Sequence, residues 1–256
     1  MTIRYDGKVA IVTGAGNGLG RSHALVLAAR GAKVVVNDLG GTVDGSGGAL
    51  TAAETVVKEI IAAGGEAIAN GANVTKADEV EAMVKQAMDT WGRIDILVNN
   101  AGILRDKSFS KMALSDFQLV VDVHLMGAAT CTKAVWDIMK AQEYGRIVMT
   151  SSSSGLYGNF GQSNYGAAKM GVVGLMNVLH LEGAKYNIKV NALAPAAATR
   201  MTENLGIDEE ELALMKVEAV SAGLLYLVSE EAESRLVLCA GAGGYAATRI
   251  YETEGI

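Results

Sequence analysis

Tyr165 and Lys169 are the side chains of this sequence best suited to proton transfer. They are four residues apart, so in a helix they lie on the same face, one turn from each other. A tyrosine has an ordinary pKa of about 10, so it accepts a proton at neutral pH only when nearby positive charge stabilises its phenolate. The Lys169 ammonium is placed to supply that charge. The pair therefore predicts general acid–base chemistry.

A second feature lies near the N-terminus, where a glycine-rich turn joins an apolar run to a helix-like segment. The turn carries Gly14, Gly18 and Gly20 in the spacing G-x-x-x-G-x-G. Glycine lets the backbone turn tightly and approach a ligand, and the free N–H groups at the start of the helix favour an anion. We therefore expect residues 13–20 to bind the pyrophosphate of a dinucleotide.

These residues need a scaffold in which strands alternate with helices. Short β-branched runs predict seven strands, at 9–13, 33–37, 66–69, 94–99, 146–151, 189–194 and 236–240. Apolar residues three and four apart predict helices at 54–63, 78–90, 117–139 and 165–186. The alternation favours an α/β fold, a single doubly wound Rossmann-type domain over residues 1–256, with a seven-stranded parallel sheet and helices on both faces. Segment 40–48 is expected to be a mobile surface loop, with covering of an adenine as the alternative.

Together the motifs resemble those of the classical short-chain dehydrogenase/reductases. Residues 13–20 match T-G-x-x-x-G-x-G, residues 99–102 read N-N-A-G after an apolar run, and residues 165–169 read Y-x-x-x-K. Ser152 stands thirteen residues before the tyrosine, as in the family. The resemblance extends from residue 9 to about residue 202. It implies a nicotinamide-dependent enzyme that interconverts a secondary alcohol and a ketone.

The resemblance also implies roles for individual residues. Tyr165 takes the proton from the substrate alcohol, and Ser152 binds the reacting oxygen. Lys169 supports the tyrosine and holds the nicotinamide ribose. Many family members have an asparagine, within N-x-x-G, that holds a relay water, and this chain has His124 in that register. His124 is expected either to act in the proton relay or to be a satisfied core residue.

The end of the second predicted strand indicates the cofactor. Asp38 lies eighteen residues past Gly20. A carboxylate there binds the adenosine ribose hydroxyls and repels a 2′-phosphate, which predicts NAD rather than NADP. The alternative is a solvated loop aspartate. Including what the resemblance implies, the expected cofactor site comprises Gly14, Asn17, Gly18, Leu19, Gly20, Asp38, Asn73, Val74, Asn100, Ala101, Gly102, Tyr165, Lys169, Pro195, Thr199 and Thr202.

Further stretches resemble a narrower group. Residues 37–41, 102–106, 123–125 and 157–162 are similar to the (3R)-hydroxyacyl-CoA dehydrogenases of the multifunctional enzyme type 2, or 17β-hydroxysteroid dehydrogenase type 4, group. This implies NAD-dependent oxidation of a (3R)-hydroxyacyl-CoA to the 3-oxoacyl-CoA. Region 199–231 is expected to close over substrate, and within it residues 215–231 lack the prolines that the group often has there. A steroid or other hydrophobic alcohol is therefore the alternative substrate, and a non-catalytic NAD-binding regulator is the remote alternative. The cations available for coenzyme A phosphates are Arg105, Lys107, Lys111 and Arg200.

Composition limits the remaining functions. The 256 residues carry 22 basic and 28 acidic side chains, a net charge of −6 without a dense basic cluster, which argues against nucleic acid. No apolar run reaches the roughly 18 residues of a membrane span, and a cytoplasmic protein is expected. Cys131 and Cys239 are expected to be free thiols, with no metal site, and His23 and His180 to be structural. Apolar surface on the long helices and the resemblance together predict a homodimer or homotetramer.

Overall fold

The computed structural model describes residues 3–47, 50–197 and 214–255. Its strands are β1 Val9–Thr13, β2 Lys33–Asn37, β3 Glu66–Asn70, β4 Ile96–Asn99, β5 Gly145–Thr150, β6 Ile188–Ala196, β7 Val237–Gly241 and β8 Gly244–Thr248. They form one sheet in the order β3-β2-β1-β4-β5-β6-β7-β8. Neighbouring strands are parallel except for β7 and β8, which are antiparallel. The fold is a Rossmann-like α/β fold, as predicted.

The helices cover both faces of this sheet. Those described are α1 Gly18–Ala29, α2 Thr51–Ala62, α3 Ala77–Trp91, α4 Leu114–Val121, α5 Gly127–Gln142, α6 Ser153–Tyr157, α7 Ser163–Gly183 and α8 Val217–Leu227. Apolar residues of α1, α2 and α8 form one core with the sheet, and those of α3, α5 and α7 form the other. The sheet is therefore the middle of three layers.

The strand sequences explain this arrangement. In β1, Ala10 and Val12 enter one core and Ile11 enters the other, because successive side chains of a strand point to opposite faces. A strand covered on both sides is apolar throughout, which is why the runs lack alternation. Strands β2 and β4 lie on either side of β1, so the order in which successive strands are added to the sheet reverses at β1. A crevice for ligands opens at the carboxyl ends of such strands.

The predicted count of seven parallel strands is incomplete, because β8 adds an antiparallel edge. Ala242 and Gly243 join β7 to β8 with φ values of 48° and 79°. Two consecutive positive φ angles are typical of a type I′ turn, whose twist suits a two-residue hairpin. This turn has alanine before its glycine, and so it lacks the Asn-Gly or Asp-Gly pair by which such hairpins are usually recognised.

The predicted helix 117–139 is also interrupted. Between α4 and α5 the chain makes a π-helical turn over Asp122–Met126, which contains His124. A π turn adds a residue to the helical repeat, and apolar spacing over a long window does not reveal it. Such turns frequently occur at functional sites, and this one directs His124 toward the carboxyl edge of the sheet.

Candidate active site

The glycine turn after β1 has the geometry that its sequence predicts. Gly14 and Gly18 have φ angles of 64° and 52°, which favour glycine. A Cβ on Gly20 would collide with the Gly14 carbonyl oxygen, so α1 can approach the turn only with glycine there. The Asn17 side chain makes no capping hydrogen bond within the described residues. The first N–H groups of α1 are therefore available to an anion.

Asn100, directly after β4, fastens this turn. Its side-chain Nδ2 donates to the carbonyl oxygens of Thr13, at 3.0 Å, and Gly14, at 3.1 Å. The backbone N–H groups of Asn100 and Ala101 donate to Thr13 Oγ1 at 3.0 and 3.1 Å. Asn100 and Ala101, expected to bind cofactor, thus also hold the glycine turn against the neighbouring strand.

Asp38 lies at the end of β2 and faces the same turn. Its Oδ2 accepts a hydrogen bond from Gly16 N at 2.7 Å, and its Oδ1 accepts one from Gly40 N at 2.6 Å. These bonds orient the carboxylate at the rim of the cleft. The solvated-loop alternative therefore fits the structure poorly.

Asn73 is committed to a local turn. Its amide oxygen accepts hydrogen bonds from Thr75 N at 3.0 Å and from Thr75 Oγ1 at 2.9 Å. An amide oxygen has two lone pairs, so both are used in this conformation. An adenine amino group could donate a hydrogen bond to the Asn73 oxygen only if one of the two hydrogen bonds from Thr75 were broken.

Tyr165 and Lys169 lie one turn apart on α7. The Lys169 Nζ atom is 5.4 Å from the centre of the Tyr165 ring and donates to the Thr150 carbonyl oxygen at 2.6 Å. The lysine is buried, and burial lowers its pKa to about 7. Before a ligand binds, Lys169 therefore loses its proton readily at neutral pH.

Burial raises the pKa of Tyr165 to about 12. A hydrogen bond from the side chain of Ser152 acts in the opposite direction, and the Asp106 carboxylate adds to the rise. Ser152 also caps α6, because its Oγ accepts a hydrogen bond from Ser154 N at 3.2 Å. The structure thus brings the predicted serine, tyrosine and lysine together. Without ligand, however, Lys169 does not bring the tyrosine pKa below its ordinary value.

His124 packs edge-on against Tyr165, with ring centres 5.0 Å apart. Its Nε2 lies 3.0 Å from Ile103 N and 2.8 Å from Ile103 O, so Ile103 can pair with this nitrogen in either tautomer. Burial first, and then the charge of Lys169, lower the His124 pKa well below its usual value. The imidazole is therefore neutral, and a Cβ on Gly102 would collide with it.

A small cavity of about 10 Å³ lies beneath this group. Three buried atoms of residues that border it, His124 Nδ1, Asn99 Oδ1 and Thr150 Oγ1, have no hydrogen-bond partner among the described residues. Lys169 borders it as well. The volume suits one water molecule, and three polar partners are what a buried water usually has. Asn99 and Thr150 were not among the predicted site residues, although Asn99 belongs to the N-N-A-G motif.

One cleft of about 300 Å³ connects these features. Its lining includes Gly14, Asn17, Gly18, Leu19, Gly20, Asp38, Asn73, Val74, Asn100, Ala101, Gly102, His124, Tyr165, Lys169 and Pro195. Thr199 and Thr202 lie outside the described residues. The lining also contains Thr42, Val43 and Gly45, from the segment expected to be a surface loop. That segment therefore borders the cleft.

Other predicted features lie away from the cleft. His23 is buried between α1 and α8, where its Nδ1 is 2.8 Å from Ser221 Oγ. Cys131 and Cys239 are free thiols. The described residues contain no cluster of three His, Cys, Asp or Glu side chains that could hold a metal ion. Within the same ranges, every helix is too short or too polar to cross a membrane.

Comparison with known proteins agrees with this geometry. The model of the short chain dehydrogenase family matches residues 8–210. The chain is 50% identical, over 99% of its length, to peroxisomal multifunctional enzyme type 2 of Drosophila melanogaster. It is 48% identical, over 97% of its length, to a putative short-chain type dehydrogenase/reductase of Mycobacterium tuberculosis and covers 87% of that protein.

A solved structure of 7α-hydroxysteroid dehydrogenase, complexed with NADH and 7-oxo glycochenodeoxycholic acid, superimposes with a TM-score of 0.85 at 30% identity. The alignment covers 94% of this chain and 96% of that one. By contrast, the chain spans only 42% of the length of the Drosophila enzyme. The family model matches most of the chain, and the Mycobacterium tuberculosis relative is covered over most of its length, so the chain belongs to the short-chain dehydrogenase family of oxidoreductases, which use a nicotinamide cofactor.

Proposed function

We propose that this protein oxidises the hydroxyl group of a (3R)-hydroxyacyl-CoA to the 3-oxoacyl-CoA, with NAD as the cofactor. The observation that carries the proposal is the grouping of Tyr165, Lys169 and His124 in a cleft that also contains Asp38. Residues 37–41 and 157–162 resemble the acyl-CoA group of the family. The 50% identity to a multifunctional enzyme type 2 supports the same substrate class.

The residues of the cleft fit NAD. Gly14 and Gly20 leave space that a Cβ would fill, and the Asp38 carboxylate is held at the rim. A negative charge there disfavours the 2′-phosphate of NADP. By resemblance, Thr199 and Thr202 hold the carboxamide and Lys169 the nicotinamide ribose. When bound, the oxidised nicotinamide supplies a hydride acceptor and a positive charge.

The cofactor preference can be tested at Asp38. The variant Asp38→Ser removes the charge while leaving a small polar side chain. We expect kcat/KM with NADP to rise and kcat/KM with NAD to fall, each by about tenfold, the effect of one charge-assisted hydrogen bond or repulsion. Steady-state kinetics with both cofactors measure this. An unchanged NAD preference would show that Asp38 does not select the cofactor.

Three side chains prepare the proton transfer. Tyr165 removes the hydroxyl proton of the substrate, and Ser152 donates a hydrogen bond to the reacting oxygen. Because burial raises its pKa, Tyr165 stays protonated at neutral pH until positive charge enters the cleft. Lys169, held by Thr150 O, stabilises the phenolate that then forms.

His124 and the small cavity provide a path by which the proton that Tyr165 takes from the substrate can leave the site. His124 Nδ1, Asn99 Oδ1 and Thr150 Oγ1 are positioned to bind one water next to Lys169. Because Ile103 occupies His124 Nε2, the imidazole takes part through Nδ1, which holds the relay water. We therefore assign His124 to the proton relay rather than to the core alone.

A steroid alcohol is the second candidate substrate. The likeness to 7α-hydroxysteroid dehydrogenase favours it, since that protein was solved with a bile-acid ligand in the same fold. Residues 215–231, within the region expected to cover the substrate, depart from the acyl-CoA group in sequence. The same Tyr165 and Lys169 would serve either alcohol.

The first experiment is nicotinamide reduction by the purified protein. NAD and NADP are offered separately with (3R)-hydroxyacyl-CoA, (3S)-hydroxyacyl-CoA and a 17β-hydroxysteroid. NAD-dependent turnover of the (3R) thioester alone would support the proposal. Activity on the steroid with none on the thioesters would replace it with the steroid alternative. Absence of turnover, together with NAD binding, would favour the regulator.

Assembly and location complete the proposal. Met170, Val178 and Leu181 of α7 and Met126 of the π turn are exposed apolar side chains, which supports a homodimer or homotetramer built on this surface. A stable monomer in sedimentation at micromolar concentration would reject it. Cytoplasmic residence is also proposed, although five relatives are named as peroxisomal enzymes. A fluorescent fusion in cells distinguishes the compartments.

A further inference from the structure

Residues 42–46, which we call the flap, form a compact turn between β2 and α2. Thr42 N donates to Ser46 O at 2.8 Å. The Asp44 carboxylate accepts hydrogen bonds from Ser46 N at 3.1 Å and from Ser46 Oγ at 2.8 Å. The turn is thus held by its own residues. It can keep its shape when its contacts with the rest of the protein break.

The flap reaches across the nucleotide cleft. Leu104 N donates to Val43 O at 2.9 Å, and Arg105 Nε donates to Asp44 O at 2.7 Å. The flap follows β2, whereas Leu104 and Arg105 follow β4, and β1 lies between these strands in the sheet. A bridge from one to the other therefore crosses the carboxyl end of β1, where the glycine turn begins. Thr42, Val43 and Gly45 line the cleft from above this turn.

Arg105 joins the flap to two other elements. Its Nη1 donates to Asp116 Oδ1 of α4 at 3.1 Å, in a pair whose side chains are 32% and 21% exposed. Its carbonyl oxygen accepts a hydrogen bond from Asn164 Nδ2 at 3.0 Å. Asn164 Oδ1 in turn accepts one from Tyr165 N at 2.7 Å. The backbone of Arg105 is thereby fixed to α7, while its side chain holds the flap.

Glycines on both sides allow the flap to move. Gly40 and Gly47 have φ angles of 77° and 74°, in the region that glycine adopts freely. A rigid turn between two such positions can swing as a unit. Among the described residues, the flap is held against the β4 side of the cleft by the hydrogen bonds of Leu104 and Arg105 and by the proximity of Gly45 to Ile103.

We propose that residues 42–46 are a hinged flap over the nucleotide cleft, and that Arg105 is the latch whose release permits cofactor dissociation. Arg105 is a positioning residue, because it acts on the cofactor through the flap. This inference rests on the proposed function only in taking a nicotinamide dinucleotide as the ligand. It also gives Arg105 a use other than the coenzyme A phosphates, since its Nε and Nη1 are already bound within the protein.

The test is the rate at which NADH leaves the enzyme. NADH fluorescence is followed by stopped flow after displacement with excess NAD. Replacing Arg105→Ala should raise the dissociation rate about tenfold, because one charge-assisted hydrogen bond of the closed state is lost. The KM for NAD should rise, while kcat should not fall. Arg105→Lys should also release NADH faster, since a lysine cannot reproduce the planar fork that spans Asp44 O and Asp116.

Two variants separate the latch from general destabilisation. Asp116→Ala frees the guanidinium from α4 and should also raise the dissociation rate, and it serves if Arg105→Ala does not fold. Arg93→Ala removes another arginine–aspartate pair, with Asp95, which lies just before β4 at the amino ends of the strands, away from the cleft. It should leave the rate unchanged.

The outcomes are distinct. Equal NADH dissociation rates in wild type, Arg105→Lys and Asp116→Ala would overturn the latch while leaving the proposed function intact. A faster rate in Arg93→Ala as well would also overturn it, because the effect would then be nonspecific. If the wild type binds no NADH, the proposed function itself fails, and the latch fails with it.

Discussion

At the scale of single residues, Tyr165 and Lys169 show how burial acts against charge. Burial raises the pKa of the tyrosine to about 12 and lowers that of the lysine to about 7, so it shifts each group toward its neutral form. Their separation on α7 is what the Y-x-x-x-K spacing predicts. The spacing does not reveal how deeply the pair is buried. Because of that burial, Tyr165 needs positive charge from a bound ligand before it can lose its proton.

Replacing Tyr165→Phe should lower the rate of alcohol oxidation by about 10² to 10⁴-fold, the usual contribution of general acid–base catalysis. NADH binding, measured by fluorescence, should change little. In the wild type, oxidation should become faster as pH rises, because the raised pKa keeps Tyr165 protonated at neutral pH. Tyr245→Phe, on the exposed strand β8, is the matched control and should retain wild-type rates. Turnover by the Tyr165 variant would exclude this tyrosine as the base.

At the scale of elements, the π-helical turn between α4 and α5 decides where His124 lies. The turn places the imidazole beside Tyr165 and against Gly102, which has no side chain to displace it. An uninterrupted helix would present a different face of this segment to the cleft. The N-x-x-G register locates the histidine in the sequence, but the π turn determines its orientation.

Gly102→Ala should displace the His124 ring, because the added Cβ would collide with it. We expect a stability loss of about 1–3 kcal/mol from overpacking and a fall in turnover that exceeds any change in NADH binding. Gly244→Ala, at the start of β8, is the control: the nearest atom to a Cβ there is Gly241 O at 3.4 Å, an ordinary contact, so activity should persist. Thermal unfolding and steady-state kinetics check both. Wild-type turnover in Gly102→Ala would mean that the position of His124 is unimportant.

At the scale of the whole molecule, buried histidines make stability depend on pH. His23, between α1 and α8, has its pKa lowered to about 3 by burial. Below its ordinary value of 6.5 the unfolded chain binds a proton that the folded chain does not. Stability is therefore lost as pH falls from about 6.5 toward 3, and the lowered pKa of His124 acts in the same direction.

His23→Gln should reduce this pH dependence, since glutamine can still pair with Ser221 but does not titrate. The free energy of unfolding in urea, measured between pH 4 and pH 6, should fall less steeply in the variant, by about 1.4 kcal/mol per pH unit, the value for one proton. The variant is expected to be less stable than wild type at pH 7, so only the slopes are compared. Identical slopes would refute the assignment.

Local spacing within one strand, turn or helix was enough to predict the parallel strands, the glycine turn and the tyrosine–lysine pair from the sequence. It did not reveal β8, whose turn lacks the usual residues, and it left open whether segment 40–48 borders the cleft. Asn99, Thr150 and His124 belong to β4, β5 and the π turn, and only the packing of these elements brings their unpaired atoms to one cavity. The flap and Arg105 meet for the same reason: the sheet order puts the ends of β2 and β4 on either side of β1. Contacts between distant segments depend on how buried surfaces pack, so they became visible only in the three-dimensional structure.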